Sequence, residues 1–401
     1  MLVLLLVGLA ACVAQAFGRF SYGVVLPAVR DDLLGSNVAA GLLGTANVGA
    51  YLLGTVLVAG RSSRTSLIGL MCTGLVLSTG GLLLASWAGN AAELTIALVM
   101  MGLGGAAIWI PTPRVASGVL PPSRRGLATG FIGVGIGSGI VFAGRLADGL
   151  RRGADEGWWR RLYRVEAVIA VGVLVATFVF LRRAVARAED APAPPADQPD
   201  DRANGLAGFG ALRRIRGWAA LTGAYAAFGF MYLLVIAFLV ARLEDDAGFR
   251  PAEASTMFAS VGVAAICGGI LLGPLSDRIG RRTTLIGAFI GFGGSTLAIL
   301  VGRQPWVLLG SIGVGLMFSG LPTAIAAYVV DATDAVTFAP AYSAATLAFG
   351  LAQVSAPQVG GLVADVAGSF TPVFLLSATF AAIGAALSWR LPKDVTPARA
   401  P

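Results

Sequence analysis

The chain contains no histidine, only three cysteines, and 12% charged residues over 401 positions. Without histidine the commonest acid–base and metal-ligating side chain is missing. Cys12, Cys72 and Cys267 lie far apart inside apolar segments, so neither a disulfide framework nor a metal spacing is present. No nucleophile–base constellation stands out either; an enzyme is disfavoured, and no cofactor or metal is expected. A soluble domain carries about 25% charged residues, so water is not the main solvent of this chain. What is present is apolar: 56% hydrophobic residues and a mean hydropathy of +0.81. The net charge of +8 would suggest nucleic acid in a soluble protein. Here the arginines fall mostly in short loops between apolar runs, so membrane topology explains them and no nucleic-acid partner is expected.

Apolar runs of about 20 residues, enough to cross the hydrocarbon core as helices, recur twelve times. They read as 2–28, 38–60, 65–88, 92–118, 126–148, 162–181, 217–241, 252–276, 283–302, 306–330, 340–366 and 370–390. The start "MLVLLLVGLAAC" lacks the basic n-region of a signal peptide, and apolar character resumes after Arg19. It therefore reads as a retained first helix. The polar stretch from Arg182 to Gly205, rich in Ala, Pro and Asp, reads as a linker. The expected organisation is a six-helix half over 1–181, a linker over 182–216 and a second six-helix half with a short tail over 217–401. Basic loops after even-numbered helices, together with the linker and the C-terminus, put both termini in the cytoplasm. One loop breaks the pattern: the fifth-to-sixth connection carries Arg151, Arg152, Arg160, Arg161 and Arg164.

An internal repeat supports the two halves. "LVAGRSSRT" (57–65) and "PLSDRIGRRT" (274–283) follow the second helix of each half, and Arg61 and Arg64 match Arg278 and Arg281 at a separation of 217 residues. The same separation relates Asp148 to Asp365. In the second copy Gly273 and Gly280 permit close approach and a tight turn. Asp277, at a helix end, can accept hydrogen bonds from another helix's free amides, while Arg278, Arg281 and Arg282 suit an anionic membrane surface. In the first copy Gly60 stands where Asp277 would be and Ser63 where Gly280 would be.

The string "GPLSDRIGRR" (273–282) resembles the helix-two-to-three loop signature of the major facilitator superfamily. "GRFSYGVVLP" in the first helix resembles the uncharacterised YbfB/YjiJ-like branch. The resemblance covers essentially the whole chain. It implies an all-α fold of twelve transmembrane helices in two pseudo-symmetric halves, in a bacterial cytoplasmic (inner) membrane. It also implies that Gly273, Asp277, Arg278, Gly280, Arg281 and Arg282 form an inter-half latch, with Asp277 contacting the start of the fifth helix near Arg125 to Ala128. The missing first-half acid argues against symmetric gating.

Charge inside the bilayer is expensive and normally serves a purpose. Arg19 lies about 27 Å along the first helix and should face a cavity between the halves. Gln15 and Tyr22 flank it, with Asn47 and Tyr51 in the second segment. Tyr225 and Tyr232 lie in the seventh, Tyr328 in the tenth and Gln353 in the eleventh. "AFGF" (227–230) repeats "AFGR" (16–19), which sets Phe230 opposite Arg19 by pseudo-symmetry. Arg145 and Asp148 are expected to pair across one turn, and Arg114 to anchor the cytoplasmic end of the fourth helix. No carboxylate falls at mid-membrane, so any proton coupling falls to Glu166, expected near the outer interface, or to a proton on the substrate itself. The reading is a secondary transporter, expected to be monomeric, that moves a small solute by alternating access, an organic anion facing Arg19. Efflux of a lipophilic, drug-like compound is the alternative, and a non-transporting sensor or scaffold is the alternative from another class.

Overall fold

We describe the chain from a computed structural model, over residues 1–61, 66–118, 125–153, 157–181, 206–334 and 337–393. Among the described residues, twelve helices are long and apolar enough to cross a membrane. They are α1 (Leu2–Leu34), α2 (Asn37–Val58), α3 (Leu67–Ala85), α4 (Ala91–Ala116), α5 (Gly130–Arg151) and α6 (Trp158–Phe180). Then come α7 (Trp218–Asp246), α8 (Pro251–Ile279), α9 (Arg281–Leu300), α10 (Trp306–Ala332), α11 (Pro340–Ala367) and α12 (Thr371–Trp389).

Local chemistry sets the boundaries. The Ser66 hydroxyl accepts the Gly69 N–H at 3.1 Å to start α3, and Asn90 accepts the Glu93 N–H at 3.0 Å to start α4. Gly280, at φ +89°, makes the tight turn from α8 into α9. Three spans run four or more residues past their hydropathy limits. α7 ends at Asp246 rather than 241, α1 continues past residue 28 to Leu34, and α6 begins at Trp158, four residues before the apolar run. In the extensions of α1 and α6 the charges are neutralised locally. Arg30 pairs with Asp31 and Asp245, and Arg160 pairs with Asp32 at 2.7 Å while its guanidinium lies 4.2 Å from the Trp159 ring centroid. Part of the expected linker is also ordered: Leu206–Arg213 is a helix packed on α11.

The helices pack as two bundles with matching pairings. In the first, α1 packs on α5, α2 on α4, and α3 on α4 and α6; in the second, α7 packs on α11, α8 on α10, and α9 on α10 and α12. Between bundles, α5 lies along α8, α11 along α2, and α1 along α7. The 217-residue repeat is visible in these seams. A Cβ on Gly144 would stand 2.8 Å from the Ser255 carbonyl oxygen, and one on Gly361 only 2.2 Å from that of Asn37. Small residues at these positions let the helix backbones touch.

The bundles are tied together on the face opposite the termini. The Asp365 carboxylate accepts the Asn37 and Val38 N–H groups at 3.0 and 2.8 Å, capping α2 from the other bundle. Arg30 pairs with Asp245. Arg151 pairs with Glu244 and also donates to the carbonyls of Pro251 (3.1 Å) and Val24 (3.3 Å). This explains the arginine-rich loop that broke the topological pattern. Arg151 joins the halves, Arg152 pairs with Asp148 at 3.1 Å, and Arg164 donates to the Ser86 carbonyl. Toward the terminal face the contact between α5 and α8 thins among the described residues. Gly137 still meets Ile266, whereas an added Cβ on Gly133 or Gly130 would find nothing within 4 Å.

Candidate functional site

The centre of α1 is not α-helical. From Cys12 to Phe20 the backbone winds as a π-helix, a form frequent at functional sites because it re-aims side chains. This stretch carries Gln15 and Arg19. Arg19 stands about 26 Å from Leu2 and about 23 Å from Leu34 along the helix, close to the middle of the span.

Arg19 Nη2 donates to the Gln353 side-chain oxygen on α11, across the seam between bundles. The Gln353 amide nitrogen in turn donates to the Tyr232 hydroxyl on α7 at 2.9 Å. The guanidinium carbon lies 5.2 Å from the Tyr51 ring centroid and 5.7 Å from that of Phe20, within cation–π range. Gln15 lies close to the Tyr51 side chain. Arg19 Nε is buried and has no hydrogen-bond partner. The partners of this cation among the described residues are thus an amide and aromatic faces, not an acid. Further rings close the wall: Phe318 sits 5.2 Å from Tyr232 and 5.5 Å from Phe20, and Phe228 lies 5.0 Å from Tyr232.

Arg19, Gln15, Tyr51, Tyr232 and Gln353 therefore converge. The other candidates do not. Tyr22 donates to the Ala40 carbonyl at 2.8 Å. Asn47 donates to the carbonyls of Gly18 and Leu98, tying α2 to α1 and α4. Phe230, placed opposite Arg19 by pseudo-symmetry, instead packs on Phe380 of α12 at 4.4 Å, because sequence offset does not fix the rotation of a helix. Tyr225 stacks at 4.4 Å on Phe349, between α7 and α11. Tyr328 is buried one turn before Asp331, at the terminal-face end of α10. The sequence reading missed Phe318 and Phe349, because aromatics in apolar helices carry no polar signal.

Glu166 departs from its expected place near the outer interface. It is 0% exposed, its Oε1 accepts the Ser21 hydroxyl at 2.5 Å, and its Oε2 has no hydrogen-bond partner. The early start of α6 puts it two turns deep, so a carboxylate does lie well inside a span. Ser21 is two residues from Arg19. Arg145 and Asp148 pair at 3.2 Å as expected, and Asp148 also holds Arg152. A surface cleft of about 520 Å³ beside this pair is lined by Arg145, Asp148, Arg152, Glu253 and Arg303. It lies at the span ends, away from the Arg19 layer.

At the terminal face Asp277 pairs with Arg281 at 2.5 Å, and Arg281 bridges to Asp331 on α10 at 2.7 Å and to Ser276 at 3.0 Å. Asp331 was not among the expected latch residues. The side chains of Arg125 to Ala128, the expected partners of Asp277, lie outside the described residues, as do those around Gly60 and Ser63. No cluster of three or more metal-ligating side chains occurs among the described residues.

Residues 11–389 match the family described as uncharacterised MFS-type transporter YbfB. A Haemophilus influenzae protein named for metabolite transport is 31% identical over 118 residues, spanning 28% of this chain and 29% of that relative. Among solved structures, a D-xylose–proton symporter superposes with a TM-score of 0.76 at 15% identity, covering 98% of both chains. A bacterial homolog of the human lysosomal transporter Spinster, inward-facing and unoccupied, also gives 0.76, at 16% identity over 97% of both. At such identities the structural likeness establishes the fold.

Proposed function

The chain belongs to the YbfB-like family of MFS-type transporters, and from that premise we propose that it moves a small organic anion by alternating access. The solute carries a carboxylate toward Arg19 and an apolar portion toward the aromatic wall. The observation that carries this is Arg19 itself: a mid-span guanidinium whose partners are neutral and whose Nε is buried and unfilled. Exposing such a charge to lipid would cost roughly 2.5–3.5 kcal/mol or more, and an anion between the halves would neutralise it. The bundles 1–181 and 217–401 rock about this layer, with the arginine-rich terminal face in the cytoplasm of a bacterial inner membrane. The seam closed opposite the termini supports an inward-facing state.

Glu166 is the proposed proton site. Its one hydrogen bond joins α6 to α1 two residues from Arg19, so a change in its proton count bears on the helix that holds the solute. A second reading, export of a lipophilic compound with Arg19 purely structural, draws support from the stacked rings of Tyr225, Phe228, Tyr232 and Phe349. A thermal-stability screen of the purified chain and its Arg19→Gln variant separates the two. Organic anions that stabilise only the wild type support the first reading. Neutral or cationic compounds that stabilise both equally overturn it in favour of the second.

A further inference from the structure

The Gln353 amide has a dictated orientation. Arg19 has no acceptor, so the amide oxygen must face it, and the amide N–H must then reach the Tyr232 hydroxyl. Gln353 is 2% exposed and belongs to the opposite bundle from Arg19. Its oxygen takes only Nη2, while Nε on the same edge of the guanidinium is buried with no partner. That edge, Nε with Nη2, is the one a carboxylate engages with two parallel hydrogen bonds.

We infer that Gln353 is a resident stand-in for the substrate's carboxylate: its amide oxygen holds half of the Arg19 edge between transport cycles, and a carboxylate displaces it by filling both positions. This rests on the proposed role of Arg19 and sharpens the substrate class to anions presenting two coplanar oxygens. A spherical anion such as chloride offers one centre to both N–H groups instead of two parallel hydrogen bonds, so it compensates less well for the lost amide contact. The displaced contact also spans the seam between bundles, so arrival of the carboxylate removes a direct hydrogen bond between the halves at the moment the site is filled. Gln353 is thus a specificity and positioning residue whose worth lies in being weaker than the ligand it imitates.

The test uses the purified full chain and thermal shifts with sodium acetate, lactate and benzoate against sodium chloride at matched ionic strength. In Gln353→Ala the stand-in is gone, and the carboxylate concentration for half-maximal shift should fall roughly tenfold, the scale of one charge-assisted hydrogen bond. In Gln353→Glu a permanent carboxylate occupies the edge. That variant should melt higher than the wild type without ligand and lose its response to all three acids. Adding Arg19→Gln to it should abolish the gain. A Gln353→Glu protein that responds like the wild type, or a Gln353→Ala protein that loses a response the wild type shows, overturns the stand-in while leaving the anion reading intact. If neither the wild type nor Gln353→Ala responds to any of the acids, the anion reading falls and the stand-in with it.

Discussion

Gly361→Ala tests how the halves close. The Cβ it adds would stand 2.2 Å from the Asn37 carbonyl oxygen, 2.9 Å from its carbon and 3.3 Å from the Val38 Cα. These are backbone atoms at the start of α2, the stretch that Asp365 caps, so no side chain can rotate away. Overpacking of this kind costs about 1–3 kcal/mol, and only in the state where α11 and α2 touch. The gain in helix propensity over glycine, about 1 kcal/mol, applies to both states and cancels. The closed seam should therefore lose population by about 5- to 150-fold relative to the state open on that face. Spin labels on the exposed Trp87 and Arg303, on opposite bundles at that face, report the distance distribution. Gly361→Ala should transfer amplitude to a longer component. Gly133→Ala, where nothing lies within 4 Å, should leave the distribution unchanged. An unaltered distribution in Gly361→Ala, or an equal change in Gly133→Ala, would refute the reasoning.

Two further substitutions probe the charges. Glu166→Gln should flatten the pH dependence of transport while preserving the ligand-induced thermal shift; a pH profile identical to wild type excludes Glu166 as the proton site. Asp277→Asn should slow transport in vesicles more than Gly60→Ala does. It should change stability by less than about 1 kcal/mol, since Asp277 is 64% exposed and Arg281 keeps Asp331; a wild-type rate for Asp277→Asn removes the latch.

The sequence makes the spans legible because each needs a long apolar run, and it makes the two halves legible because Arg61/Arg278 and Asp148/Asp365 share one offset. It hides the ends of α1 and α6. Charges such as Arg30, Asp32 and Arg160 look like loop residues until their partners, which lie far away in sequence, are known. Arg19 announces itself by the cost of burying a cation, and the polar candidates follow from the same argument. Which of them turn toward Arg19 depends on helix rotation and on the π-helical stretch of α1, neither of which a period of 3.6 residues encodes. Hence Phe230 points to α12 and Asn47 satisfies backbone carbonyls, while Phe318 and Phe349 enter the wall unannounced. The offset that pairs Asp148 with Asp365 carries no information about partners either. Asp365 caps α2 across the seam, whereas Asp148 holds Arg145 on its own helix and Arg152 just past its end.

The central claim is that Arg19 binds the transported anion, and proteoliposome uptake tests it most directly. Radiolabelled uptake of the carboxylate that best stabilises the wild type should saturate with the wild-type protein. It should fall at least about tenfold with Arg19→Gln, the loss of one charge-assisted contact, in a variant that remains folded. Undiminished uptake by Arg19→Gln would contradict the account.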